Sequence, residues 1–169
     1  VGGGLTGISS AVYLAKKGFN VIVLEARNIG WGASGRNGGH LGGGLRKEQK
    51  ILEKKLGTEH ALELWKMSLE AVDEVLKNIN KYSIECDLQN GVLTAGYYKN
   101  DEKYFIEEKE YLQKKYNYNE YIYFNNKEIR EQINSKKYYS GLLNKGSYHL
   151  HPLKYLYGLT KEALKLNIK

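Results

Sequence analysis

The sequence predicts an α/β fold, on three observations in its first 45 residues. Glycines at positions 2, 4 and 7 match the pattern G-x-G-x-x-G, a helical spacing of apolar residues follows, and an aliphatic run comes next. A glycine-rich turn that leads into a helix and then a strand is typical of a Rossmann-like nucleotide-binding domain. The strand before the turn would be reduced to Val1, so we expect this domain to be incomplete.

The helix and the strand of this region are predicted from different patterns. Residues 19–24 contain four consecutive aliphatic side chains without alternation, which predicts a strand buried on both faces of a parallel sheet. Gly18, just before this run, is a typical helix stop. The helix itself is predicted from apolar residues at a spacing of three or four, namely Leu5, Ile8, Val12 and Ala15.

The composition changes near Arg46, which predicts a second structural region. Thirteen of the 19 glycines lie in the first 44 positions, whereas 14 of the 15 tyrosines lie at position 82 or later. We therefore predict the N-terminal part of the Rossmann-like domain at 1–45, a helical and strand region at 46–150, and a helix that returns to the first domain at 151–169. The second region, with mixed helices and strands, would be the start of an α+β domain.

The helices and strands of the second region are predicted from the spacing of apolar residues and from residues that typically start or end such elements. Thr58 is predicted to cap a long amphipathic helix that runs to about Ile79, and Pro152 to open the last helix. The remaining predictions are helices at 47–56, 101–115 and 127–133, strands at 91–98 and 121–124, and two strands within 140–149.

Charge and composition argue against nucleic-acid binding and a membrane span, and they indicate the cellular compartment. The formal charge of +7 comes mostly from 22 lysines interleaved with glutamates, a pattern of solvated helix faces, and four arginines are too few for a nucleic-acid site. The mean hydropathy of −0.57 and the short apolar runs predict no membrane span. Cys86 is the single cysteine of the sequence and cannot form an intrachain disulfide, which favours a reducing, cytoplasmic location for the protein.

The glycine turn has the residues that a pyrophosphate requires. Gly2 permits a tight turn, Gly4 leaves room for the phosphates, and Gly7 lets the helix pack closely on the strand. Backbone amides at the helix N-terminus, including those of Leu5 and Thr6, would bind the negative charge.

Glu25 narrows the choice of dinucleotide. It follows the predicted strand, 18 residues after Gly7, where a carboxylate can accept both hydroxyl hydrogens of an adenosine ribose. A carboxylate there repels a ribose 2′-phosphate, so NADP is disfavoured and both FAD and NAD remain open. The long glycine-rich segment at 26–40 favours FAD, because a plain NAD domain would continue with a short loop.

Two segments carry a resemblance to a known family. The run GWGASGRNGG at 30–39 and the run GSYHLHPL at 146–153 resemble the FAD-dependent oxidoreductases of the D-amino-acid oxidase, glycine oxidase and sarcosine oxidase family. They are most similar to its gamma-glutamylputrescine oxidoreductase branch. The resemblance spans nearly all of this chain but only the N-terminal part of the family's length, which predicts a fragment of a longer two-domain protein.

The resemblance implies an FAD-binding domain, the start of a substrate domain, and roles for particular residues. Arg36 would be either a phosphate partner or an anchor of the loop, and no catalytic residue is predicted. The implied FAD contacts are Gly2, Gly4, Leu5, Thr6 and Gly7 at the pyrophosphate, Glu25 and Ala26 at the adenosine end, and Gly32, Ala33, Ser34, Asn37 and Gly38 near the ribityl chain and flavin.

The resemblance also implies a reaction. The parent enzyme would oxidise the CH–NH bond of a small amine or amino acid by hydride transfer to flavin N5, water would hydrolyse the imine, and oxygen or another acceptor would reoxidise the flavin. Two alternatives remain: an NAD-binding dehydrogenase domain and a non-catalytic fragment. We expect the isolated chain to bind FAD weakly and to be marginally stable, and we predict structural roles for His40, His149 and His151, with no metal site.

Overall fold

The computed structural model describes residues 2–169, so the strand residue predicted at Val1 lies outside the described part. The chain forms two compact units. The first unit contains the residues up to Leu41 together with Glu70–Gln89 and His149–Lys169, and the second contains Gly42–Leu69 and Asn90–Tyr148. The domain boundaries drawn from composition stay a prediction, and the structure adds residues 70–89 to the first unit.

Six α-helices and four strands are found within residues 2–169. In chain order they are α1 (Leu5–Lys16), a short 3-10 helix (Ala33–Gly35), β1 (His40–Leu41), α2 (Gln49–Leu56), α3 (Thr58–Tyr82), β2 (Gln89–Gly96), α4 (Asp101–Tyr116), β3 (Tyr121–Phe124), α5 (Asn126–Gln132), β4 (Ser140–His149) and α6 (Pro152–Lys165). The predicted helices are therefore confirmed, although Thr58 is the first residue of α3 rather than its cap.

Helix α1 forms the core of the first unit with α6. Its buried face consists of Ile8, Ala11 and Val12, and it packs with Leu156 and Leu159 of α6. Gly18 has a φ of +88°, a conformation that favours glycine, and the chain leaves the helix there. This packing fixes the position of the N-terminal end of α1, where the glycine turn lies.

Residues 19–24 differ from the prediction of a strand buried on both faces. The Val23 N–H donates to the Lys169 carbonyl at 2.7 Å and the Lys169 N–H donates to the Val21 carbonyl at 3.3 Å, the pattern of parallel neighbours. These bonds are too few to form a regular strand. Ile22 and Leu24 are 66% and 65% exposed, so the predicted burial of both faces is wrong. Only the opposite face packs on the core, through Val21 and Val23.

In the second unit, β2 and β3 both pair with β4, and the β3–β4 pair is antiparallel. The sequence predicted two strands within 140–149, but β4 is one strand of ten residues. Gly146 lies within this strand and allows a close approach, because a Cβ there would lie 2.4 Å from the Tyr118 hydroxyl oxygen.

A carboxylate of α2 is enclosed in the second unit. The Glu53 side chain is 13% exposed, and its oxygens accept hydrogen bonds from Lys115 Nζ at 2.8 Å and Tyr116 Oη at 2.7 Å. Burial opposes ionisation of Glu53, but hydrogen bonds, that of Lys115 foremost, outweigh it and lower the pKa to about 2. Glu53 is therefore ionised at neutral pH.

We expect this carboxylate to make the chain sensitive to acid. Because the pKa of folded Glu53 is below its ordinary value of 4.5, its contribution to stability is present above that value and is lost as the pH falls toward about 2. The variant Glu53→Gln should show a flatter dependence of unfolding free energy on pH in this range, measured by urea unfolding. Glu110→Gln, which removes an exposed ion pair with Lys114, should retain the parent slope. Equal slopes for the parent and Glu53→Gln would contradict the assignment.

Candidate functional site

A cavity of about 270 Å³ lies at the N-terminal end of α1, within the first unit. The glycine turn forms one side, and residues from the second glycine-rich segment form the other. The cavity is lined by Gly2, Gly3, Gly4, Thr6, Gly7, Glu25, Gly30, Gly32, Ala33 and Ser34. The two motifs that the sequence singled out for nucleotide binding therefore meet at one place.

The start of α1 supplies backbone amides to this cavity. The first helical hydrogen bond runs from the Ile8 N–H to the Gly4 carbonyl at 3.0 Å, so the amides before Ile8 have no partner inside the helix. One of them, the Leu5 N–H, donates to Ser34 Oγ at 3.0 Å. The helix dipole adds partial positive charge at this end, which favours an anionic ligand.

Glu25 is held by the backbone of the glycine turn. Its Oε2 accepts a hydrogen bond from the Gly3 N–H at 2.6 Å, and its Oε1 accepts one from the Arg27 N–H at 2.8 Å. These bonds, with that of Gly3 first, lower the pKa of Glu25 below its ordinary value. An ionised carboxylate at this point can accept hydrogen bonds from hydroxyl groups and repels a phosphate.

The glycines that line the cavity differ in how much free space surrounds each of them. A Cβ on Gly4 would lie 2.8 Å from Ser34 Oγ, so the absence of a side chain makes room for this hydroxyl. A Cβ on Gly32 would have no protein atom within 4 Å, because this glycine faces open space. The donors, the carboxylate and this open space fit the pyrophosphate and ribose of a dinucleotide.

Sequence reasoning missed two of the lining glycines, Gly3 and Gly30. The Gly30 N–H donates to the Gly3 carbonyl at 2.9 Å and joins the two glycine-rich segments. A Cβ on Gly3 would lie 2.5 Å from Ile29 Cδ1, and one on Gly30, whose φ is +73°, would lie 2.6 Å from Leu153 Cδ1. The run of three glycines at 2–4 was a signal for Gly3, whereas the requirement at Gly30 arises from contacts with distant residues.

The structure brings most of the predicted FAD contacts together. Leu5 takes part through its bond to Ser34. Ala26 lies next to Glu25 and adds a backbone hydrogen bond that lowers the pKa of this carboxyl. Eight of the predicted residues line the cavity: Gly2, Gly4, Thr6, Gly7, Glu25, Gly32, Ala33 and Ser34.

Arg36, Asn37 and Gly38 lie outside the lining of this cavity. Asn37 Nδ2 donates to the Ala33 and Ser34 carbonyls, both at 3.0 Å, and therefore fixes the loop. The Arg36 guanidinium stacks on the Trp31 ring at 4.5 Å. This contact favours the loop-anchor alternative for Arg36, and a contact of these residues with a cofactor stays a prediction.

The histidines have separate surroundings. His151 caps α6, because its Nδ1 accepts a hydrogen bond from the Lys154 N–H at 3.3 Å. His40 is an exposed residue of β1. In the part of the chain that the structure describes, no three histidine, cysteine, aspartate or glutamate side chains are grouped so that they could hold a metal ion.

None of the helices within residues 2–169 combines the length and the apolar character that a membrane crossing needs.

A family model and two known proteins that are similar to this chain are all described as oxidoreductases. The family model described as DAO, FAD dependent oxidoreductase, matches residues 1–169. The chain is 37% identical over 168 residues to gamma-glutamylputrescine oxidoreductase of Escherichia coli, covering 99% of this chain and 39% of that protein. It is 36% identical over 169 residues to the probable oxidoreductase OrdL of Haemophilus influenzae, covering 100% of this chain and 39% of that protein.

A solved structure shares the fold. Glycine oxidase from Geobacillus kaustophilus superposes with a TM-score of 0.74 at 17% identity, covering 99% of this chain and 44% of that protein. The chain therefore spans about two fifths of the length of the relatives it matches.

Proposed function

Because this chain belongs to the FAD dependent oxidoreductase family, we propose that it binds FAD in the cavity at the start of α1 and is part of an amine or amino-acid oxidoreductase. The family membership, the Rossmann-like α/β fold and FAD as the family's cofactor agree with what the sequence predicted. One observation carries the binding proposal: the N-terminal end of α1, the Glu25 carboxylate and the Gly32–Ser34 segment line a single cavity.

Each part of the cavity has a role in this proposal. The amides at the start of α1 would hold the pyrophosphate, and Glu25 would accept hydrogen bonds from the adenosine ribose. Gly32 and Ala33 would let the cofactor pass close to the backbone, and Ser34 would offer a hydroxyl group. Bound FAD would supply a two-electron acceptor for a C–H bond beside an amine nitrogen. The residues of this chain would bind and orient, and none is assigned as a catalytic acid or base.

The similarities support a proposal about the substrate class. The relatives include proteins named gamma-glutamylputrescine oxidoreductase and glycine oxidase. We propose that the protein oxidises the CH–NH bond of a small amine or amino acid to an imine, which water hydrolyses, with electrons passed to oxygen or another acceptor. A cytoplasmic location belongs to the same proposal.

Titration of the chain with FAD tests the binding step. We expect quenching of FAD fluorescence to saturate, although weakly, with NAD binding at least about tenfold more weakly, a difference of about 1.4 kcal/mol. The expected preference arises because the second glycine-rich segment adds contacts that a nicotinamide dinucleotide does not need. NAD binding as tight as FAD binding would favour the NAD-dehydrogenase alternative, and binding of neither would count against a dinucleotide site.

A further inference from the structure

Five aromatic rings follow one another in the second unit. Their centroids are separated by 6.0 Å between Tyr111 and Tyr116, 5.5 Å between Tyr116 and Trp65, 5.2 Å between Trp65 and Tyr118, and 5.6 Å between Tyr118 and Tyr121. We call these five residues the aromatic chain. Contacts between neighbouring rings of this kind allow an electron to move from one ring to the next.

Trp65 is central in the aromatic chain and is 6% exposed. Its indole N–H is buried and has no hydrogen-bond partner among residues 2–169. An indole that loses one electron becomes a much stronger acid than neutral indole and normally passes its N–H proton to a neighbouring acceptor. Without such an acceptor, oxidised Trp65 would keep both its proton and its positive charge, and it would therefore be a strong oxidant of an adjacent ring.

The two tyrosines next to Trp65 differ in their proton acceptors. The Tyr116 hydroxyl donates to Glu53 Oε1 at 2.7 Å and accepts a hydrogen bond from Gln49 Nε2 at 3.1 Å. The Tyr118 hydroxyl donates to the amide oxygen of Asn144 at 2.7 Å. A carboxylate is a much better proton acceptor than a neutral amide, so Tyr116 can lose a proton along its existing hydrogen bond.

The surroundings of Tyr116 favour loss of an electron and a proton together. Burial, followed by the hydrogen bond to Glu53, raises the pKa of the Tyr116 phenol and keeps it protonated at neutral pH. Tyr116 is half-buried, whereas Tyr118 is 7% exposed, so small reductants in solution can reach a radical on Tyr116 more easily.

We propose that Tyr116 is a redox-active tyrosine that receives an oxidising equivalent from Trp65 and gives its proton to Glu53. A diffusible one-electron oxidant, such as an oxygen-derived radical, takes one electron from Trp65. One electron then moves from Tyr116 to the Trp65 radical cation, and the Tyr116 Oη proton moves to Glu53 Oε1. The products are a neutral indole, a neutral tyrosyl radical and a protonated carboxyl group, so charge is conserved. This role goes beyond the proposed function and does not depend on FAD.

The test generates the Trp65 radical by light in the full chain. The chain has two tryptophans, so Trp31→Phe leaves Trp65 as the single indole. A laser pulse that ionises the indole, with a cobalt(III) ammine to capture the ejected electron, is followed by transient absorption. We expect the band of the indole radical cation to convert to the band of a tyrosyl radical, with a rate that does not depend on protein concentration and is slower in D2O.

Matched variants in the Trp31→Phe background identify the tyrosine that gives its electron to Trp65 and the group that takes its proton. Tyr116→Phe keeps the ring and removes the hydroxyl, and it should slow the conversion at least about tenfold, or about 1.4 kcal/mol in the barrier. Tyr118→Phe, at a similar distance from Trp65, should leave the rate within about twofold, or about 0.4 kcal/mol. Glu53→Gln should also slow the conversion, because it removes the proton acceptor while Tyr116 remains.

Three outcomes would overturn the proposal. They are no tyrosyl band in the parent, equal slowing by Tyr118→Phe and Tyr116→Phe, and an unchanged rate in Glu53→Gln. Thermal unfolding of each variant checks that it is folded. If Tyr116→Phe does not fold, Glu53→Gln and the solvent isotope effect in the parent decide the same question.

Discussion

Replacement of Gly39 by alanine is expected to lower the free energy of unfolding by about 3–5 kcal/mol, a large share of the about 5–15 kcal/mol that stabilises a typical domain. Gly39 has a φ of +69°, and a Cβ there would lie 1.9 Å from the Leu150 carbonyl oxygen. The contact is with backbone rather than with a flexible side chain. The Leu150 N–H also donates to the Gly39 carbonyl at 3.0 Å, so a shift of the loop would break this bond.

The neighbouring glycine provides a matched control for this prediction. A Cβ on Gly38 would meet only the His40 ring, at 3.9 Å, an ordinary contact. Gly38→Ala should therefore change the unfolding free energy by less than about 1 kcal/mol in either direction. Chemical unfolding followed by circular dichroism compares the two variants. Similar stabilities for Gly38→Ala and Gly39→Ala would show that the loop does not approach Leu150 as closely as described.

A valine at position 32 is expected to weaken FAD binding at least about a hundredfold, or about 2.7 kcal/mol, without unfolding the protein. Gly32 lines the cavity, and a Cβ there has no protein atom within 4 Å. The methyl groups of valine would therefore take space that we assign to the cofactor, while the surrounding residues keep their packing. Gly32→Ala should have a smaller effect in the same direction, because its side chain is smaller.

Two measurements on the same samples check this second prediction. FAD titration gives the affinity, and urea unfolding should place Gly32→Val within about 1 kcal/mol of the parent. An unchanged FAD affinity in a folded Gly32→Val variant would show that FAD does not occupy this part of the cavity. Loss of affinity together with loss of stability would assign a structural role to Gly32 instead.

The helices could be predicted from sequence because their signals are local. In α1 the apolar spacing and the following Gly18 lie within 14 residues of one another, and α6 begins at Pro152 as expected. The errors occurred where distant residues decide the outcome. The aliphatic run at 19–24 predicted burial on two faces, but only Val21 and Val23 meet core residues. Two strands were predicted within 140–149, but β4 is one continuous strand, and Tyr118 approaches it closely at Gly146.

The sequence predicted which residue types form the candidate site, but it did not predict the hydrogen bonds between them. The spacing of Gly2, Gly4 and Gly7 before a helix predicted a phosphate-binding turn, and Glu25 was expected to take part. The structure adds that Glu25 binds the Gly3 amide and that Ser34 binds the Leu5 amide. These partners are 22 and 29 residues apart in sequence, beyond the reach of any local pattern.

The sequence by itself determined the helices in their order, the α/β class and the residue types of a dinucleotide site. Capping, glycine placement and apolar periodicity act within one element, so they can be read without a fold. The tertiary structure decided which amides are already occupied, which glycines face open space, and that Tyr116 lies between Trp65 and Glu53. Such contacts depend on how separate elements pack, because a hydrogen bond or a ring contact forms only when packing brings its two partners within a few ångströms.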